Sequence, residues 1–219
     1  LSKLKKNNYS KYKLKFHLNL KSIGLLEQEL PDVPGTMFSA QIQEYTKQNQ
    51  YIMPFNWHKA HVKSILDRHE DSIQFDYVFK HGLGLTSQVT NSKVEANLNC
   101  FSSNKKSFTL INHNIFKNSE VFDSIYEIMN RTFALYQSIG ITKVLCPIPS
   151  SSILKIEDSL NEIKKSNYNL DLLSVHHMGS LPLGSKLISF NGSVRDFPNI
   201  FIADSSLLPT FVGESPQLT

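Results

Sequence analysis

The chain has little cysteine. Cys100 and Cys146 stand far apart among 219 residues, with no Cys-x-x-Cys pair and no neighbouring histidine pair. That spacing argues against a zinc site and leaves two reduced, buried thiols as the expectation, compatible with a reducing compartment. Long apolar runs are also missing. No stretch approaches the roughly 18 residues of a membrane span. No apolar segment follows the Lys-rich start, so a signal peptide is not expected either, and the chain is assigned to the cytoplasm. Metal-ligand spacing is absent too. His58 and His61 lie three apart without an acidic third ligand, and the other histidines before residue 176 have no partner at ligand spacing. A Gly-x-Gly-x-x-Gly fingerprint is lacking as well. Its nearest approach, Gly82-Leu83-Gly84-Leu85-Thr86-Ser87, has Ser at the third position and no evident helix after it, so it reads as a turn.

Acidic residues are absent from the first 22 positions, which hold seven lysines and leave 16 basic against 19 acidic residues elsewhere. Such a start could touch nucleic acid or another anionic surface. Yet Tyr12, Leu14, Phe16, Leu18 and Leu20 alternate with Lys11, Lys13, Lys15, His17, Asn19 and Lys21. That period of two predicts a strand with one apolar and one wet face, its lysines protecting an exposed edge. No nucleic-acid partner is expected. A basic binding module working through these lysines remains a third, weaker alternative, recognisable by salt-dependent retention on polyanions.

What is present is ordinary globular material: 40% hydrophobic residues, enough for one sizeable core or two small ones. Leu30 to Gly35 reads as a loop, 37–45 as a strand, and 56–69 as a short helix or loop. Strands are predicted near 73–80, 93–101 and 107–115, with turns at Asn91-Ser92 and Asn104-Lys105-Lys106. The clearest helix spans 119–139. Phe122, Ile125, Tyr126, Met129, Phe133 and Tyr136 share one face, Asn118 or Ser119 caps the start, and Gly140 ends it. A strand at 142–146 and a helix over 152–165 follow. Strands followed by helices without strict alternation indicate an α+β fold with a mainly antiparallel sheet.

The last residues are the most unusual. His176-His177-Met178-Gly179-Ser180 is followed by a short strand ending in Ala203-Asp204-Ser205-Ser206, then Pro209-Thr210, then Ser215-Pro216-Gln217-Leu218-Thr219. This ordered series resembles the C-terminal signature of the glucose-methanol-choline (GMC) oxidoreductases: His-Pro-Met-Gly-Thr, a strand ending in Asp-Ala/Ser-Ser, Pro-Thr, and Asn-Pro-x-x-Thr. The likeness covers 176–219 well, thins through 119–139 and is weak before about residue 95.

The resemblance implies a fold, a cofactor and roles. Residues 1–175, of which 1–30 are basic and hard to assign, would be part of a substrate domain, an antiparallel sheet with helices packed on it. Residues 176–219 would return to an FAD-binding domain that is otherwise absent, and both chain ends are expected to be cut. His176 would be the general base or alkoxide stabiliser; on composition alone His176-His177 reads as two loop histidines, and His177 keeps that reading within the motif. Ala203 and Asp204 would contact FAD, although Asp204 also reads as a cap on the turn at Ser205 and Ser206. Ser215-Pro216 makes a good helix start, whose positive end would face the flavin together with Gln217. The substrate would be a small alcohol or sugar, and the electron acceptor is unassigned.

Two departures from the pattern matter. Ser215 stands where the family has His or Asn, and His177 where it commonly has Pro. A hydroxyl can exchange one hydrogen bond but is not a base like His, so Ser215 reads equally as a second catalytic group or as an N-cap alone. Without the Gly-rich motif, the competing reading is a truncated or non-catalytic GMC-like protein that holds no flavin.

Overall fold

The computed structural model describes residues 9–31, 42–44, 49–55, 57–90, 93–103, 106–113, 115, 118–166 and 169–209. The chain forms two compact units. One gathers residues 1–17, 90–122 and 174–219; the other gathers 18–89 and 123–173. The fold is α+β, with antiparallel pairing and four α-helices among the described residues. None of those helices is long and apolar enough to cross a membrane.

The second unit holds a seven-stranded sheet. Its path runs β3 (Ile42–Glu44), β4 (Asn49–Pro54), β5 (Gly82–Thr90), β2 (Leu18–Leu25), β8 (Lys143–Leu145), β9 (Ile153–Lys155), and β10 (Leu172–Leu173) also pairs with β2. On one face lie α1 (Lys59–Leu66) and α2 (Phe75–His81). Ile23 and Leu25 of β2 pack there in a buried cluster with Phe55, Val62, Ile65, Leu66, Val78 and Leu145. On the other face lies α3 (Ser119–Ser138). Thr132 and Ser87 exchange a buried hydroxyl bond of 2.7 Å. The Tyr136 hydroxyl donates to the Ser22 or Leu83 carbonyl, 2.9 and 3.0 Å away. Helix α4 (Ile156–Lys165) follows β9 directly.

Several local expectations are met. Helix α3 ends as its apolar periodicity requires, with Gly140 at φ +82° beyond it and Asn118 Oδ1 accepting from the Glu120 N–H at 3.1 Å. Three differ. The alternation through 73–80 builds a helix, α2, because Phe75 and Phe79 at i and i+4 stack with ring centroids 5.6 Å apart. Asp76 in its first turn and Lys80 and His81 in its last also suit the helix dipole. Gly82-Leu83-Gly84 is the start of strand β5, not a turn. A Cβ on Gly84 would lie 2.3 Å from the Phe55 ring, so glycine is there for close packing. The basic strand is two strands, β1 (Tyr9–Phe16) and β2, interrupted at His17. Neither is an edge, since each pairs on both sides, and β2 is buried on both faces. The loop over residues 32–35 and the turns at Asn91-Ser92 and Asn104-Lys105 lie outside the described residues.

The first unit holds a four-stranded sheet ordered β11 (His177–Met178), β1, β6 (Glu95–Ser103), β7 (Lys106–His113), antiparallel throughout. It also holds the two-stranded ribbon of β12 (Ser193–Val194) and β13 (Phe197–Phe201).

Candidate active site

The segment bearing His176 is fixed by its neighbours in the first unit. Strand β11 pairs with β1 so that His177 faces Phe16 and Met178 faces Lys15 in register. Met178 is buried, and Gly179 takes φ +71°, a conformation that favours glycine. After it the backbone runs beside the 3-10 turn Ser205–Leu207. The Leu181 N–H donates to the Ser206 carbonyl at 3.0 Å, and the Leu183 N–H to the Leu207 carbonyl at 3.1 Å. The Ser205 hydroxyl donates to the His177 carbonyl at 2.6 Å. The His176 segment and the Asp204 segment are therefore joined by hydrogen bonds, although they are far apart in sequence.

His176 is half-buried. Its ring meets that of His17 edge-on, with centroids 5.5 Å apart and planes at 70°. Burial, and then the neighbouring His177, hold its pKa below the ordinary histidine value. A lowered pKa favours the neutral imidazole, the form that can accept a proton. His17 is fully buried. No motif singled it out; its place in the alternation reads as part of a wet strand face, whereas it is buried at the break between β1 and β2.

Asp204 is the cap that its position beside Ser205 and Ser206 suggests. Its Oδ1 accepts from the Ser206 N–H at 2.7 Å, and its backbone is extended. Ser206, through its hydroxyl and its N–H, holds the carboxyl below the usual carboxylate range. Ala203 and Asp204 are both exposed, and among the described residues their backbone N–H groups donate to no carbonyl. Two unpaired N–H groups just beyond the end of β13 can receive an anionic group. The ribbon around them is strongly apolar and open to solvent: Phe190 is 84%, Phe197 60% and Phe201 59% exposed. Ser215, Pro216 and Gln217 lie outside the described residues. No cluster of three or more His, Cys, Asp or Glu suited to a metal occurs among the described residues. His58 caps α1 instead, its Nδ1 accepting from the Ala60 N–H at 3.3 Å.

No protein with a curated description matches the sequence significantly. In overall fold the chain is similar to the crystal structure of pyridoxine 4-oxidase from Mesorbium loti. The TM-score is 0.60 and the identity 10%, and the match covers 93% of this chain but only 40% of that one. A family model described as GMC oxidoreductase matches residues 93–219, more than half of the sequence and all of the segment that carries His176 and Asp204. The chain belongs to the GMC oxidoreductases.

Proposed function

We propose that this chain is the substrate domain and active-site tail of an FAD-dependent oxidoreductase acting on the CH–OH group of an alcohol or sugar. The observation that carries the reading is a half-buried imidazole whose following backbone segment is hydrogen-bonded to the exposed turn at Asp204. When bound, FAD supplies the hydride acceptor. His176 takes the hydroxyl proton, and its depressed pKa keeps the accepting form populated at neutral pH. His17 holds the ring by its edge-on contact. The N–H groups of Ala203 and Asp204 hold the cofactor's ribityl and phosphate portion, in a turn made rigid by the Asp204 cap. Ser215, Pro216 and Gln217 complete the flavin contacts by their place in the family signature, Ser215 serving as N-cap or as second hydrogen-bonding group. Residues 1–175 belong to the substrate domain, and 176–219 return to the flavin domain. The exposed Phe190, Phe197 and Phe201 support that division, because a ribbon this apolar suits burial against further polypeptide. No nucleic-acid partner and no membrane segment enter this reading, which places the protein in the cytoplasm.

A visible spectrum tests it. The polypeptide that joins this segment to its flavin-binding part should show the peaks of bound oxidised flavin and bleach with an alcohol substrate. His176→Ala should slow that bleaching by about 10²-fold or more, the scale of losing a positioned base. Rates within twofold of the parent would remove His176 from the mechanism.

A second reading is favoured by one finding. Gly82–Thr90 is a strand, so the nearest approach to a dinucleotide motif is spoken for by sheet packing. The chain would then be a GMC fold that holds no flavin, and a colourless protein unable to take up added FAD would select it.

A further inference from the structure

A second polar cluster lies in the sheet of the 18–89 and 123–173 unit, built from residues to which no flavin chemistry is assigned. Alternation along β2 puts Asn19, Lys21 and Ile23 on one face. Ile23 belongs to the apolar cluster under α1, so Lys21 stands at the border of that cluster. Its Nζ lies 2.6 Å from His61 Nε2 and 5.7 Å from the centre of the Phe55 ring. An imidazole accepting from an ammonium gives a hydrogen bond but no opposite charge. The carboxylate that acts on Lys21 belongs to Asp171. Continuing the β10 register of Leu172 with Leu20 and Leu173 with Asn19 sets Asp171 opposite Lys21. That carboxylate is taken by Arg68, whose Nη1 is 2.6 Å from Asp171 Oδ1.

Two cations thus share one carboxylate in a half-buried setting, where unbalanced charge is costly. The cost is visible at Lys21, whose pKa is lowered by burial and then by Arg68, with Asp171 opposing them. Asn19 adds a second mark. It is 4% exposed, and its Oδ1 has no hydrogen-bond partner among the described residues. Two strand positions span roughly 7 Å, a gap that one oxyanion with its hydrogen bonds can bridge.

We propose that Lys21, Arg68 and Asn19 form a binding site for a small oxyanion bearing an O–H, of the phosphate or hydroxycarboxylate class. The ammonium and guanidinium take the anionic oxygens, and the Asn19 carbonyl accepts from the O–H. The surplus cation is then neutralised and the orphan acceptor satisfied by one ligand. The site does not depend on flavin.

Calorimetric titration of this chain at low ionic strength, with inorganic phosphate and separately with glycolate, tests the site against matched sodium chloride. Saturable one-site binding of either anion is expected. Phosphate alone would indicate a phosphoryl ligand, and glycolate alone a hydroxy acid. Lys21→Met should weaken binding at least tenfold, while Lys21→Arg should hold it within about threefold, since charge and donors remain. Asp171→Asn should strengthen it several-fold by releasing Arg68, the opposite of what loss of a purely structural pair would do. Heats no different from sodium chloride would overturn the proposal. So would Lys21→Met binding as tightly as the parent, or Asp171→Asn binding more weakly. Should Lys21→Met fail to fold, Lys21→Arg and Asp171→Asn decide.

Discussion

Strands β2 and β13 are both rich in apolar residues, yet seven of eight positions are buried in β2 and all five are exposed in β13. The difference lies in their neighbours. β2 has β5 along one side, β8 and β10 along the other, and helices on both faces. Among the described residues, β13 pairs with β12 alone. Side-chain chemistry sets how much a strand gains from burial, whereas topology decides whether anything is there to bury it. A two-stranded ribbon with open aromatic faces is marginal on its own in water.

The largest test of the comparison is made in the covered region. Phe133 on α3 is 1% exposed, and Phe133→Ala should lower stability by about 3–5 kcal/mol, read as a fall in denaturant midpoint. A loss under about 1 kcal/mol would mean that this core is not close-packed. Next in size comes the buried thiol. Burial pushes Cys146 up to about 11, above its ordinary value of 9.0. A raised folded-state pKa contributes stability that is complete below pH 9 and drains away as pH rises toward 11. In a Cys100→Ser background, iodoacetamide at pH 8 should label Cys146 no faster than the protein unfolds. Rapid labelling of folded protein would show the thiol open to solvent.

The proposed base gives a smaller, directional effect. Because the His176 pKa is lowered, the acid limb of flavin reduction should fall below the ordinary histidine value of 6.5. A limb at or above 6.5 would mean that His176 is not buried in the working enzyme. The smallest effect belongs to the ribbon. Phe201→Ser in this chain should change stability by no more than about 0.5 kcal/mol, as surface substitutions do. In the flavin-containing protein the same change should weaken flavin retention measurably, and that contrast would identify the ribbon as an interface.

Local pattern was legible where it repeats over many residues. Helix α3 shows its face, cap and end in sequence because five turns of 3.6 periodicity and a terminal glycine have no other good solution. The pairing of β6 with β7 could also be read, from two strand-like runs around a polar turn. Short segments misled. Residues 73–80 alternate like a strand, yet stacking of Phe75 on Phe79 and terminal charges suited to a helix dipole make α2. Strand β5 was hidden because Gly82 and Gly84 read as turn residues, when Gly84 serves the approach of Phe55. At the candidate site, His176 and Asp204 could be named from an ordered motif. His17 and Ser205 acquire their roles only through a strand pairing and a backbone turn.

By itself, the sequence determined the family signature, the α+β class and the long helix, since each rests on residue order or on a period that survives without long-range partners. Tertiary structure alone decided that the lysine-rich start splits into two interior strands. It also brought His17 against His176 and left Lys21 and Arg68 with one carboxylate between them. Those outcomes depend on which distant segment lies across the sheet, and burial and charge balance are properties of neighbours in space.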